Sequence, residues 1–203
     1  MKFQTRSTAP CDCAATGFDA PRRRVIGIAV AGLASPLSVL TFPAAAADTV
    51  VAVVNAGDRL VEEDAEGAPK PLRTTDLKPG KPLLAFPFDM KAGKARDETR
   101  LNKLVLIRLP EADMTSETRA RSAGGVLAYS AICTHQSCDV KTWLAKENAL
   151  VCFCHSSKFA LLDGAAVLGG PAGRALPAVP LSLDGDQIVI AGGFSAAPGG
   201  AAA

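Results

Sequence analysis

Four of the six cysteines and both histidines of this 203-residue chain fall between positions 133 and 155. Two segments carry them, Cys133-Thr134-His135-Gln136-Ser137-Cys138 and Cys152-Phe153-Cys154-His155-Ser156-Ser157. Each can offer a thiolate and an imidazole to a metal centre. The two segments can cooperate only in a fold that returns the chain to the same place twice.

The surrounding pattern says which kind of fold. Short apolar runs recur at Thr49 to Val54, Leu83 to Phe86, Leu104 to Leu109, Val126 to Ile132, Ala149 to Phe153, Phe159 to Leu162 and Gln187 to Ala191. Runs of this length, bounded by turn residues, favour strands over helices. Gly67-Ala68-Pro69, Lys78-Pro79-Gly80, Asp163-Gly164, Gly169-Gly170-Pro171 and Asp184-Gly185 supply the punctuation. One helix is expected, around Ala112 to Ser122, with Thr115 or Ser116 as its cap. An all-β domain with long loops follows. The segment after Ala191 is too poor in packing residues to repay the entropy of ordering it, so residues 192–203 read as a flexible tail.

The N-terminus reads as an address. Arg22-Arg23-Arg24 precede a stretch from Val25 to Ala47 without a charged residue, which ends in Pro43-Ala44-Ala45-Ala46-Ala47. A basic region, an apolar region and small residues before Asp48 fit a cleaved signal, and the paired arginines suggest the twin-arginine route to the periplasm. The alternatives are a Sec signal and an uncleaved segment anchoring the chain in the cytoplasmic membrane. Residues 1–47 form that segment, residues 48–191 the domain, and Cys11 and Cys13 would be lost on cleavage. Without the leader the body is close to neutral, has no basic stripe, and holds one Trp and one Tyr. That excludes nucleic acid as a partner.

Four terminal ligands suit two irons bridged by sulfides. Two thiolates on one iron and two neutral imidazoles on the other leave less negative charge and raise the potential. A Cys₂His₂ zinc site and a pair of structural disulfides with incidental histidines are the bland alternatives. Zinc leaves the second cysteine of each segment without a purpose, and disulfides leave the histidines without one.

The paired C-T-H-x-x-C and C-x-C-H-x-S boxes resemble those of the Rieske proteins of the cytochrome bc type, firmly so from about Ala131 to Leu176. The resemblance implies an antiparallel β sandwich with a small cluster-binding subdomain, residues 131–176. It implies one [2Fe-2S] cluster held by Cys133, His135, Cys152 and His155, with Ser157 as a hydroxyl donor to the cluster. It also implies a disulfide between Cys138 and Cys154 and a proline loop beginning at Gly169-Gly170-Pro171-Ala172-Gly173. The chain departs from the family pattern at several places. Gln136-Ser137 stand where Leu-Gly is usual, Phe153 replaces a proline, Ser156 a glycine, and Phe159 a tyrosine that donates to a ligand sulfur. The Phe153 ring is expected to shield the sulfurs from water, and the missing tyrosine to lower the potential within the Rieske window.

No nucleophile or base stands outside these residues, so the chain is expected to pass electrons while catalysis belongs to a partner. The resemblance implies a subunit or carrier between a respiratory dehydrogenase, or a quinol, and a c-type cytochrome. The small subunits of arsenite oxidases are similar. Two alternatives stand beside it: the Rieske subunit of a quinol–cytochrome c oxidoreductase with an uncleaved anchor, and an exported non-redox domain stabilised by zinc or disulfides.

Overall fold

The computed structural model describes residues 53–64 and 66–200; the expected export segment, residues 1–47, lies outside them. The chain forms β1 (Arg59–Glu62), β2 (Leu83–Asp89), β3 (Lys94–Ala95), β4 (Leu104–Arg108), β5 (Val126–Ser130) and β6 (Thr142–Leu144). It continues with β7 (Ala149–Cys152), β8 (Ser157–Ala160), β9 (Ala166–Gly169), β10 (Ala178–Val179), β11 (Leu181–Asp184) and β12 (Gln187–Ile190). The expected helix is a single short one, α1 (Ser116–Ala120), and Thr115 caps it by accepting from the Thr118 amide at 3.3 Å. Among the described residues no helix is long and apolar enough to cross a membrane.

The strands make two antiparallel sheets. The larger runs β10-β5-β4-β2-β1-β12-β11, with β3 paired to β2; the smaller runs β6-β7-β8-β9. The outermost strands of the larger sheet, β10 and β11, are consecutive in sequence and separated only by Pro180. Proline cannot donate to a ladder, so one extended stretch changes partners at that point, from β5 to β12. The sheet is thereby closed on itself, and its interior is filled by Leu60, Ala85, Leu104, Leu106, Ala128, Ile188 and Ile190.

The strands β4 and β5 have two inner faces. Leu104 and Leu106 point into the closed sheet, whereas Val105 and Ile107 pack against the smaller sheet with Leu127, Tyr129, Leu150 and Phe159. An unbroken apolar run is what a strand covered on both faces requires, and Leu104 to Ile107 are all fully buried. The Tyr129 hydroxyl donates to the Leu161 carbonyl at 2.8 Å and ties β5 to the end of the smaller sheet. Burial pushes that phenol well above its ordinary pKa, which keeps the donor in place at any pH the protein meets.

Residues 192–200, expected as a tail, are hydrogen-bonded into the fold. The Ser195 amide donates to the Ala178 carbonyl at 2.8 Å, its hydroxyl accepts from the Ala178 amide at 2.9 Å, and Phe194 packs on the core of the closed sheet. Composition misses this because the partners are backbone groups, which every residue but proline offers in full.

Candidate metal centre

The first box leaves the end of β5 and returns on itself. The Cys133 amide donates to the Cys138 carbonyl at 2.7 Å, the Ser137 amide to the Cys133 carbonyl at 3.0 Å, and the Val140 amide to the Ala131 carbonyl at 2.7 Å. The second box is the tip of the β7–β8 hairpin, where Cys152 pairs with Ser157 and four residues make the turn. That register is set two positions back by Leu150 opposite Phe159, both fully buried in the core between the sheets. A slip by one residue would turn both out of the core. Each box bends through a serine in the left-handed region, Ser137 at φ +57° and Ser156 at φ +58°.

The boxes converge. The His135 and His155 rings meet edge to face with centroids 4.7 Å apart. Cys133 and Cys152 are free, buried thiols whose sulfurs lie within hydrogen-bonding reach of each other. Cys138 and Cys154 are joined as a disulfide that ties one box to the other. The sulfurs of Cys138, Cys152 and Cys154 lie within 4.8 Å of one another. Two of the three are spent on each other, which leaves the free Cys152 thiol beside the disulfide.

The electrostatics ask for a cation. Burial pushes the Cys133 thiol up, with the neighbouring Cys152 sulfur adding to the effect, while the His135 amide and the Ser157 hydroxyl work the other way. A thiol that cannot easily shed its proton to water sheds it to a metal, which replaces the proton. Nδ1 of His135 is buried with no hydrogen-bond partner among the described residues, and an imidazole nitrogen in that position can serve a metal. Two adjacent buried thiols and two adjacent imidazoles fit a [2Fe-2S] cluster with two sulfur and two nitrogen terminal ligands.

Ser157 is buried, and its Oγ accepts from the Ala172 amide at 3.1 Å. With that lone pair used, the hydroxyl proton is free to point at the Cys133 sulfur, beside which it lies. Gly170, at φ +86°, brings the proline loop over this serine: a β-carbon there would lie 2.5 Å from the Ser157 Cα. Phe153 differs from expectation. It is 69% exposed at the hairpin tip, because a four-residue turn points its first side chain away from the strands, so it shields no sulfur. Phe159 is fully buried and offers no hydroxyl. Trp143 packs against the core between the sheets.

Four supporting side chains, Thr134, Arg100, Lys103 and Asp139, were missed by sequence reasoning. The Thr134 hydroxyl donates to the Arg174 carbonyl at 2.7 Å, fixing the first box to the proline loop. Arg100 donates to the Ser137 carbonyl and to Asp139 at 2.9 Å, and Lys103 reaches Asp139 at 3.3 Å. The threonine of the C-T-H box was a visible signal; the charged residues carried none.

Two loops with a sulfur and an imidazole each, on a small antiparallel sheet and stapled by a disulfide, define a histidine-ligated iron–sulfur protein. Residues 75–180, over half the chain, match the family of the Rieske [2Fe-2S] domain. The chain belongs to that family, and a Rieske cluster with one-electron transfer comes with it. It is 35% identical over 119 residues to the cytochrome bc1 complex Rieske iron–sulfur subunit of Streptomyces lividans, covering 57% of this chain and 69% of that one. It is 46% identical over 69 residues to the putative respiratory nitrate reductase subunit Rieske of Haloferax mediterranei, covering 34% of this chain and 30% of the relative. Among solved structures, the cyanobacterial plasma membrane Rieske protein PetC3 from Synechocystis PCC 6803 aligns with a TM-score of 0.40 at 25% identity, over 68% of this chain and 98% of that one.

Proposed function

We propose that the chain passes single electrons from a respiratory dehydrogenase, or a quinol, to a c-type cytochrome, as a subunit or carrier. Cys133 and Cys152 would hold one iron and His135 and His155 the other, with the Ser157 hydroxyl donating to the Cys133 sulfur beside it. The observation that carries the assignment is the meeting of the two histidine rings at 4.7 Å next to two free buried thiols.

When bound, a cluster of this ligand set supplies a reversible one-electron step at a potential of roughly −150 to +300 mV. The chain's own residues do the rest. The closed sheet and the disulfide hold the two boxes in register, so little rearranges between oxidation states. Ser157 favours the more negative, reduced state by offering its proton. His155 is exposed, which gives a partner a short path to the site. With the cluster bound, any histidine N–H that reaches solvent would couple electron loss to proton loss, and a potential that falls as pH rises is expected.

The periplasm is the proposed compartment, reached by the twin-arginine route. Support comes from Arg22-Arg23-Arg24 ahead of an apolar run and from the Cys138–Cys154 disulfide, a bond suited to an oxidising space. The likeness to a bc1 subunit favours a second reading, a quinol–cytochrome c oxidoreductase subunit that keeps residues 25–47 as an anchor. The mass of the mature N-terminus separates the two.

The testing experiment is an EPR-monitored redox titration of the purified protein from about pH 6 to about pH 9. A Rieske-type reduced spectrum with a high potential that falls with pH is expected. A low, pH-independent potential would point to a ferredoxin-like carrier, and zinc without iron would sink the assignment.

A further inference from the structure

The stretch from Ser195 to Gly200 supplies none of the proposed ligands, yet it is fastened at both ends. Ser195 is bonded to β10 through both its amide and its hydroxyl. Farther on, Arg174 Nη2 donates to the carbonyls of Ala197 at 2.7 Å and Gly199 at 2.6 Å. The Gly200 amide then donates to the Ser137 Oγ at 2.9 Å.

The contact is one that only glycine permits. Gly199 is buried at φ +86°, and a β-carbon there would lie 2.9 Å from the Ser137 Oγ and 3.5 Å from a methyl of Leu101. A β-carbon on Gly200 would run into the His135 carbonyl. The low-complexity composition that reads as a tail is thus what lets the backbone lie flat on the first box.

Ser137 gives the reason to regard this as more than casual packing. At φ +57° it occupies a conformation that glycine adopts without strain and that a side chain resists. What serine adds over glycine is the hydroxyl, and the hydroxyl is the acceptor for Gly200. Ser156 occupies the same conformation in the other box, and its hydroxyl has no hydrogen-bond partner among the described residues. On the other side of His135, the Thr134 hydroxyl is bonded to the carbonyl of Arg174, the residue whose guanidinium holds the strap. The box is therefore gripped on both flanks of its histidine.

We propose that residues 195–200 form a strap that holds the His135 loop in its ligand-bearing conformation, with Ser137 and Arg174 as positioning residues and Gly199-Gly200 as the seat. The proposal rests on the assignment of His135 as a ligand. It implies that the strap tunes the cluster by limiting how far the His135 imidazole can move.

The test uses the full chain with its cluster and compares Ser137→Gly, Gly200→Val and the matched Ser156→Gly. Amide hydrogen exchange across residues 133–138 is read by mass spectrometry, beside the EPR spectrum and midpoint potential of the reduced protein. Ser137→Gly is expected to speed exchange of that segment about five-fold, the worth of one net hydrogen bond. Gly200→Val should speed it further, and both should shift the EPR g-values. Ser156→Gly should leave exchange of residues 133–138 as in the parent. Should Ser137→Gly and Gly200→Val exchange and titrate like the parent, the strap is overturned. A parent that lacks a Rieske-type EPR signal overturns the ligand assignment instead, and the exchange rates still decide the strap.

Discussion

Gly170 lies so close to Ser157 that a β-carbon on the glycine would sit 2.5 Å from the serine Cα and 2.7 Å from its nitrogen. The proline loop can approach the cluster box only because that position has no side chain and tolerates φ +86°. Gly170→Ala is expected to push the loop away, break the Ala172–Ser157 hydrogen bond and cost about 1–3 kcal/mol. Urea unfolding of the holoprotein reads the loss; an unchanged midpoint would show that the loop has another way to sit.

Ser157→Ala removes the hydroxyl beside Cys133 and leaves the Ala172 amide without an acceptor in a buried place. A donor to a cluster sulfur stabilises the reduced state, so its loss lowers the potential. One hydrogen bond of about 1 kcal/mol converts to on the order of 50 mV for a one-electron couple. Protein-film voltammetry of parent and variant checks both sign and size.

Opening the disulfide should loosen the box-to-box geometry before it unfolds the domain. Cys138 and Cys154 are 16 residues apart, and closing a loop of that size stabilises by about 3 kcal/mol. The double change Cys138→Ala, Cys154→Ala is expected to lower stability by about that much and to hasten iron loss to a chelator. Equal rates of iron release would mean that the hairpin and the first box hold their geometry unaided.

Acid should weaken the first box through Asp139. Burial raises the pKa of this carboxyl, but the hydrogen bonds from Arg100 and Lys103 outweigh it, and the net shift is downward from the ordinary 3.8. A carboxyl depressed in the folded state contributes stability that is present above its unfolded pKa and disappears as pH falls through the folded one. The contribution is therefore full at neutral pH and lost below about pH 4. Asp139→Asn should be less stable than the parent near neutrality and converge with it in acid, as measured by urea midpoints across that range. A constant gap at all pH values would assign the effect to packing.

Tyr129→Phe tests the tie between the sheets. The substitution leaves the Leu161 carbonyl without its donor in the core, at a cost of about 1–2 kcal/mol. Thermal unfolding reads the difference, and a loss below a few tenths of a kcal/mol would indicate that the carbonyl finds another partner.

The parts of this protein that were legible in its sequence are those in which chemistry and pattern coincide. The boxes around Cys133 and Cys152 required residue type, order and spacing to agree, and the length of the apolar run from Leu104 to Leu109 favoured a strand, though not that both its faces are covered. β6 and β9 were invisible because they are short and partly exposed, so burial leaves no alternation to read in Thr142–Leu144 or Ala166–Gly169. The switch of partners at Pro180 depends on where two other strands lie. Phe153 looked like a shield because it stands between two cysteines of the box, whereas the hairpin turn aims it outward. The docking of Gly199 and Gly200 was hidden for a different reason: the absence of side chains signals disorder in a free chain and close approach in a packed one.

The sharing of β4 and β5 between two cores means that the module carrying the boxes has no foundation of its own. Val105 and Ile107 belong to it as much as Leu104 and Leu106 belong to the closed sheet, and a strand cannot keep one face folded while the other melts. Unfolding of the closed sheet should therefore carry the iron site with it, and a fragment limited to residues 131–176 would be cut from the very strands it leans on. In such a protein the redox centre inherits the durability of the whole scaffold.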